Sequence, residues 1–134
     1  MEKDIKVKRG EIYYADFSIG NNIGSEQNGI RPVAIIQNNI GNNFSPTIIV
    51  IPITSKLTSK AKLPTHINLK NLKYRNIKNS MLLAEQIRVI DKTRLTEFIG
   101  KLDEDELKLA ERAVLIALGI NVKNYMNKND LSNV

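Results

Sequence analysis

The strongest constraint on this chain is that three strand-like apolar runs, at 11–17, 31–37 and 47–53, succeed one another with no helical pattern between them. Runs rich in Ile, Val, Tyr and Thr read as strands, and the 38–46 connection is made almost wholly of Asn, Gly, Ser and Pro, which reads as a loop. Residues 65–69 alternate cleanly, 80–89 form a long extended run, and 95–99 add a short last strand. Many short strands joined by Gly, Asn and Pro loops predict a mainly β, β-rich α+β fold: a small, strongly bent antiparallel barrel or sandwich.

One helix is expected, over 103–118. The Asp103 carboxylate can cap it while Glu106 reaches back in a capping box, Leu102 and Leu107 are spaced as a hydrophobic staple, and Gly119 marks the end. Leu107, Ala110, Val114, Ala117 and Leu118 form an apolar stripe, which Leu109, Ala113 and Ile116 widen. A stripe that wide predicts packing on the sheet and on a second surface, such as another subunit. Beyond Ile120 the chain turns polar and is expected to fray. The domain is placed at 7–120, between an N-terminal extension of 1–6 and a tail of 121–134.

The 134 residues suffice for one domain, and 42% hydrophobic with 25% charged residues is ordinary for a globular protein. Charge is less ordinary, because 20 Lys and Arg against 14 Asp and Glu give +6. Setting aside the acidic 103–118 helix leaves about +9 on the β portion, which favours an anionic partner. The longest apolar run, 48–53, is interrupted by Pro52 and is too short to cross a membrane, so no membrane association is expected.

Cysteine is absent, which excludes disulfides, thiolate nucleophiles and sulfur-ligated metals and makes the cytoplasm the simplest compartment. A single histidine, His66, rules out a two-histidine ribonuclease mechanism. In the 65–69 alternation His66 faces the polar side, where it reads as a surface residue without a role. No phosphate-binding glycine loop, dinucleotide fingerprint or His-Glu-x-x-His is present. Catalysis is therefore expected to need no metal and no cofactor, and to be run by Arg, Glu, Lys, Thr, Ser or Tyr.

Gly24-Ser25-Glu26-Gln27-Asn28-Gly29-Ile30-Arg31-Pro32 sets a carboxylate and a guanidinium five positions apart on a glycine-hinged loop that enters a strand. Thr54 closes the next strand, so Arg31 and Thr54 offer a permanent cation and a hydroxyl at neighbouring strand ends. A guanidinium in such a place suits a dianionic phosphorane. On spacing alone a purely structural role is the commoner reading of such a pair. Tyr13, Tyr14 and Phe44 read as core or loop-packing residues, and the aromatics are too few for an open stacking surface.

Val7-Lys8-Arg9-Gly10-Glu11-Ile12-Tyr13, the Gly24-to-Gln27 motif with Gly29 and Arg31-Pro32-Val33, Gln37-Asn38, Ile53-Thr54 and Glu85-Gln86-Ile87-Arg88 together closely resemble MazF/PemK-type toxins of bacterial toxin–antitoxin systems. The likeness runs over about 7–120 and is greatest to the Gram-positive branch, which the Lys62-Leu63-Pro64-Thr65-His66 segment also fits. It implies an SH3-like barrel of the CcdB/PemK type with a C-terminal helix, assembled as a homodimer. It further implies a ribosome-independent endoribonuclease that cuts single-stranded RNA, chiefly mRNA, and a cognate MazE-like antitoxin that blocks it.

Residue by residue, the resemblance assigns Arg31 and Thr54 to the catalytic pair and Glu26 to an acidic loop residue important for activity. Phe17, Ser25 and Gln27 fall in the substrate-contacting region. Lys56, Lys60 and Lys62 would supply phosphate-binding charge, and Gln86 and Arg88 would line the dimer groove. The implied reaction is attack of a ribose 2′-hydroxyl on the adjacent phosphorus, with Arg31 as stabiliser of the phosphorane and candidate proton donor, and with Arg31, Glu26 and water competing as base. Two other readings stay open: a CcdB-like gyrase poison on the same fold, and an RNA-binding regulator without catalysis.

Overall fold

A computed structural model describes residues 6–18, 29–55, 63–69 and 80–125. Strands β1 (Glu11–Asp16), β2 (Ile30–Ile35) and β3 (Thr47–Thr54) occupy the three apolar runs. They are followed by β4 (His66–Leu69), β5 (Ser80–Leu83), β6 (Arg88–Asp91) and β7 (Leu95–Lys101), and then by the long helix α2 (Glu104–Leu118). Every pairing is antiparallel, in the order β4-β5-β3-β2-β1-β7, with β6 on the same edge of β3 as β5. Register shifts between Ile12 and Tyr13 and between Tyr14 and Ala15 bend the β1–β7 pair, as bulges do.

The bent sheet buries both faces. One side closes on itself over Val7, Tyr13, Ala15, Phe17, Val33, Ile35, Ile48, Val50, Ile90 and Leu95. The other, with Ile12, Ala34, Ile51, Ile53, Leu69, Leu82 and Ile99, meets Leu102 and Ala110 at the start of α2 and within it. Strands buried on two faces explain why 31–37 and 47–53 read as continuous apolar runs rather than as alternations.

Two elements differ from the sequence reading. The 38–46 connection contains a short helix, α1 (Asn39–Phe44), where a loop was expected. Side-chain hydrogen bonds hold it: Asn38 accepts the Gly41 N–H at 2.8 Å, the Asn42 side chain, 1% exposed, exchanges hydrogen bonds with Gln37, and Lys92 Nζ reaches in from far along the chain to donate to Asn42 O. Capping and a buried amide pair thus offset the poor helix propensity of Asn and Gly. Phe44, expected to pack, is 83% exposed on this helix.

The expected extended run at 80–89 is also broken. Met81 and Leu82 pair with Thr54 and Ile53, and Arg88 pairs with Val50, so residues 83–87 face only Ile51 and Pro52. The surplus is taken up by a 3-10 turn at Ala84–Gln86. Pro52, which has no N–H to give to a ladder, lies at the break.

Helix α2 begins as its sequence indicates. Asp103 Oδ1 accepts the Glu106 N–H at 2.7 Å while Glu106 Oε1 accepts the Asp103 N–H at 3.0 Å, closing the capping box. Gly119, at φ 68°, ends it in a Schellman motif in which Ile120 N–H donates to Leu115 O and Gly119 N–H to Ile116 O. Ala110 and Ala113 face the sheet, with Leu107 and Val114 packed beside them. Leu109, Ile116 and Leu118 stay exposed, so Leu118 belongs to the outward surface and not to the inner stripe.

Candidate active site

Arg31 is the second residue of β2, immediately after the chain turns through Gly29 at φ 78°. Phe17 N–H donates to Gly29 O at 2.8 Å, which closes the base of the connection between β1 and β2. The pairs Val33↔Pro52, Ala34↔Ile51 and Ile35↔Val50 set the β2–β3 register. Continued by two residues along strands that both extend that far, this register brings Arg31 opposite Thr54. Residues opposite one another point to the same face, with Cβ atoms ~5 Å apart in a regular ladder. Arg31 is exposed and Thr54 half-buried there.

Arg88 joins them from the other edge of β3. It pairs with Val50, and because Val50, Pro52 and Thr54 alternate to one side, Arg88 shares the face of Thr54 and Arg31. Its guanidinium lies 4.7 Å from the centroid of the Phe17 ring. Phe17 is 1% exposed, so its ring forms a floor beneath that cation. Burial follows from position: Phe17 continues the inward alternation of Tyr13 and Ala15 into the self-closed core. Gln86, on the 84–86 turn, is half-buried two residues before Arg88.

The sheet therefore brings together Arg31, Thr54 and Arg88, with Phe17 below and Gln86 nearby. Ser25, Glu26 and Gln27, like Lys56, Lys60 and Lys62, lie outside the described residues. Those stretches join the described chain at Ser18, Gly29, Ser55 and Leu63. Arg94 Nη1 donates to Asp16 O at 3.1 Å and so ties the end of β1 to the turn before β7. Bonds from the Ser18 side chain and backbone hold the Asp16 carboxyl below the usual carboxylate range. Among the described residues, no group of three or more His, Cys, Asp and Glu is placed to hold a metal ion.

One constellation was not legible in the sequence. His66 Nε2 lies 2.9 Å from Glu85 Oε2, and Thr65 Oγ1 donates to Glu85 Oε1 at 2.8 Å. The β4–β5 pair His66↔Leu83 brings this about by folding residues 19 positions apart onto one edge. Desolvation pushes the Glu85 carboxyl up, but hydrogen bonds from His66, its own backbone and Thr65 outweigh it and leave the group below its ordinary range. The histidine expected to be idle is thus half of a contact. Its only sequence signal is that Thr65-His66 and Glu85 sit in adjacent strand-like runs.

The sequence profile described as PemK-like, MazF-like toxin of type II toxin–antitoxin system matches residues 8–118. The chain is 49% identical over 114 residues to a Bacillus subtilis (strain 168) protein named Endoribonuclease EndoA, covering 85% of this chain and 96% of that one. The fold is similar to the crystal structure of MazF from Deinococcus radiodurans, with a TM-score of 0.72 at 22% identity, covering 87% of this chain and 100% of that one. It is also similar to a mycobacterial endoribonuclease solved with its cognate antitoxin, with a TM-score of 0.68 at 19% identity over 86% of this chain and 97% of that one.

Proposed function

This chain belongs to the PemK-like, MazF-like toxin family of type II toxin–antitoxin systems, and from that premise we propose a specific chemistry for it. The protein is an endoribonuclease toxin that cuts single-stranded RNA at a short base motif, without a ribosome or a metal ion. It acts in the cytoplasm as a homodimer and is held in check by a cognate MazE-like antitoxin. The exposed Leu109, Ile116 and Leu118 suit a subunit contact.

The observation that carries the reading is the register placing Arg31 opposite Thr54 on one face of the sheet. In the proposed reaction the ribose 2′-oxygen attacks the adjacent phosphorus as the bond from phosphorus to the 5′-oxygen breaks. The products are a 2′,3′-cyclic phosphate and a 5′-hydroxyl. Arg31 stabilises the dianionic phosphorane, and Thr54 donates a hydrogen bond to a non-bridging oxygen. A guanidinium keeps its proton at physiological pH, so the 2′-hydroxyl proton passes to Glu26 or to water, while Arg31 gives a proton to the leaving 5′-oxygen and regains one from that base or from solvent. DNA is spared because it lacks the nucleophile.

Gln86 and Arg88 contact RNA beyond the scissile phosphate, with Ser25, Gln27, Lys56, Lys60 and Lys62 supplying further contacts from the connections flanking the site. Phe17 contributes through Arg88. Incubating the purified protein with defined RNA in EDTA tests the reading. Cleavage that survives chelation, leaves cyclic phosphate ends and is lost in Arg31→Ala is expected. Intact RNA in the presence of folded protein would point instead to gyrase poisoning or to RNA binding without cleavage.

A further inference from the structure

Residues 83–87 are the stretch of the 80–91 run that has no ladder partner on β3. The 3-10 turn in this gap carries Gln86 and leads straight into Arg88. Its backbone ties are Ala84 N–H to Thr65 O at 3.0 Å and Ile87 N–H to Ala84 O at 3.2 Å. Glu85 adds a side-chain tie in the same direction, toward β4, through Thr65 Oγ1 and His66 Nε2. One carboxylate thus grips two successive residues at the start of the edge strand, Thr65 just before β4 and His66 as its first residue, one with each oxygen.

The location is also suggestive. Thr54 pairs with Met81 and Met81 with Asn68, while His66 pairs with Leu83. His66 and Asn68 therefore stand on the face that carries Thr54. Along β5 and into β6 the chain passes from the Thr54 row, through the Glu85 turn, to Arg88. The grip thus lies beside the path between the two, with the Glu85 and His66 side chains 32% and 16% exposed. A single half-buried pair near the surface adds only modestly to global stability. Setting the orientation of a short unpaired turn is a task for which a two-point bond is well suited.

We propose that Glu85, held by Thr65 and His66, is a positioning residue that fixes the 84–86 turn so that Gln86 and Arg88 meet the bound RNA strand. Resting on the endoribonuclease reading above, this assigns Glu85 and His66 to substrate binding and not to the chemical step. A defect in the grip raises KM and leaves kcat almost unchanged, because Arg31 stands on β2, across β3 from the grip, and Thr54 belongs to β3 itself and not to the 84–86 turn.

The test compares Glu85→Ala, His66→Ala, Glu85→Gln and the double alanine variant on a defined RNA, each first checked for an unchanged melting profile. Both alanine variants are expected to raise KM about tenfold with kcat within about twofold. Glu85→Gln, which keeps an acceptor for Thr65 and a partner for the other histidine tautomer, restores most of the binding. The double variant is no worse than either single one, as for two halves of one contact. Unchanged KM, a loss confined to kcat, or additive effects would overturn the proposal. Hydrogen exchange at the Ala84 and Ile87 amides separates this idea from the functional reading. Even if the protein cut no RNA, Glu85→Ala and His66→Ala should each speed exchange there about tenfold relative to β1, and unchanged rates would sink the grip itself.

Discussion

The guanidinium of Arg88 lies 4.7 Å from the centre of the Phe17 ring, so a cation on the face that carries Arg31 and Thr54 rests on a core side chain. Phe17→Leu keeps most of the apolar volume but removes the ring's attraction for the charge, worth about 1 kcal/mol or more. The expected result is a melting temperature lower by a few degrees and RNA binding weaker by about three- to tenfold, with the larger effect on binding than on kcat. Fluorescence anisotropy with a labelled RNA carrying a 2′-deoxyribose at the scissile position reads the binding change. Undiminished affinity would mean that the ring does not orient Arg88.

Arg31 and Thr54 lie on one row by register, and their proposed roles make their losses unequal. Arg31→Ala is expected to reduce kcat about a thousandfold or more, because it removes the charge facing the phosphorane, whereas Thr54→Val costs about ten- to a hundredfold. Arg31→Lys recovers little, since an ammonium cannot reproduce the planar two-point donor. Single-turnover cleavage of a short RNA checks the order. Full activity in Arg31→Ala would exclude it as the electrophilic group.

Gly41 is tight for a spatial reason and not for its backbone angle. A Cβ there would lie 3.0 Å from Gln37 Cδ and 3.1 Å from its Nε2. Gln37 cannot easily yield, because its amide donates to Asn42 Oδ1 at 3.2 Å and to Thr47 O at 3.0 Å. Gly41→Ala should therefore cost about 1–3 kcal/mol. Adding Gln37→Ala should make the double variant less unstable than the sum of the two single effects, because the clash disappears. Denaturant melts of the four proteins provide the comparison.

Tyr13 offers a pH signature. Desolvation first, then the charge and hydrogen bond of Glu11, push its phenol from 10.0 up to about 12. Since the folded value lies above the unfolded one, the stability linked to the protonated phenol is complete below pH 10.0 and is lost as pH rises toward about 12. Absorbance at the tyrosinate band should show one step near the upper value that Tyr13→Phe abolishes. That variant should also flatten the decline in stability over the same window.

Local signals made much of the architecture readable. The strand runs at 11–17, 31–37 and 47–53 appear within one residue or two of β1, β2 and β3. Helix α2 is bounded where Asp103, Glu106 and Gly119 indicate. Two local inferences failed for a shared reason. Asn39–Phe44 is helical although its residues favour turns, and 80–89 is interrupted although its residues favour strands. In each case a partner distant in sequence decides: Lys92 Nζ, which donates to Asn42 O, and β3, whose Pro52 faces the break.

What the sequence determined by itself is what neighbours within a few residues can satisfy: the order of strands and helix, the helix caps, and the motifs that mark the family. A cap is completed by amides three or four positions away, so its chemistry is written locally. Tertiary structure alone decided that Arg31 stands opposite Thr54, that Phe17 is buried beneath Arg88, and that His66 bonds Glu85. Each depends on which face of a strand is driven into the core and on how two strands slide to bury it. A shift of one residue in that register would send every one of these side chains to the opposite face.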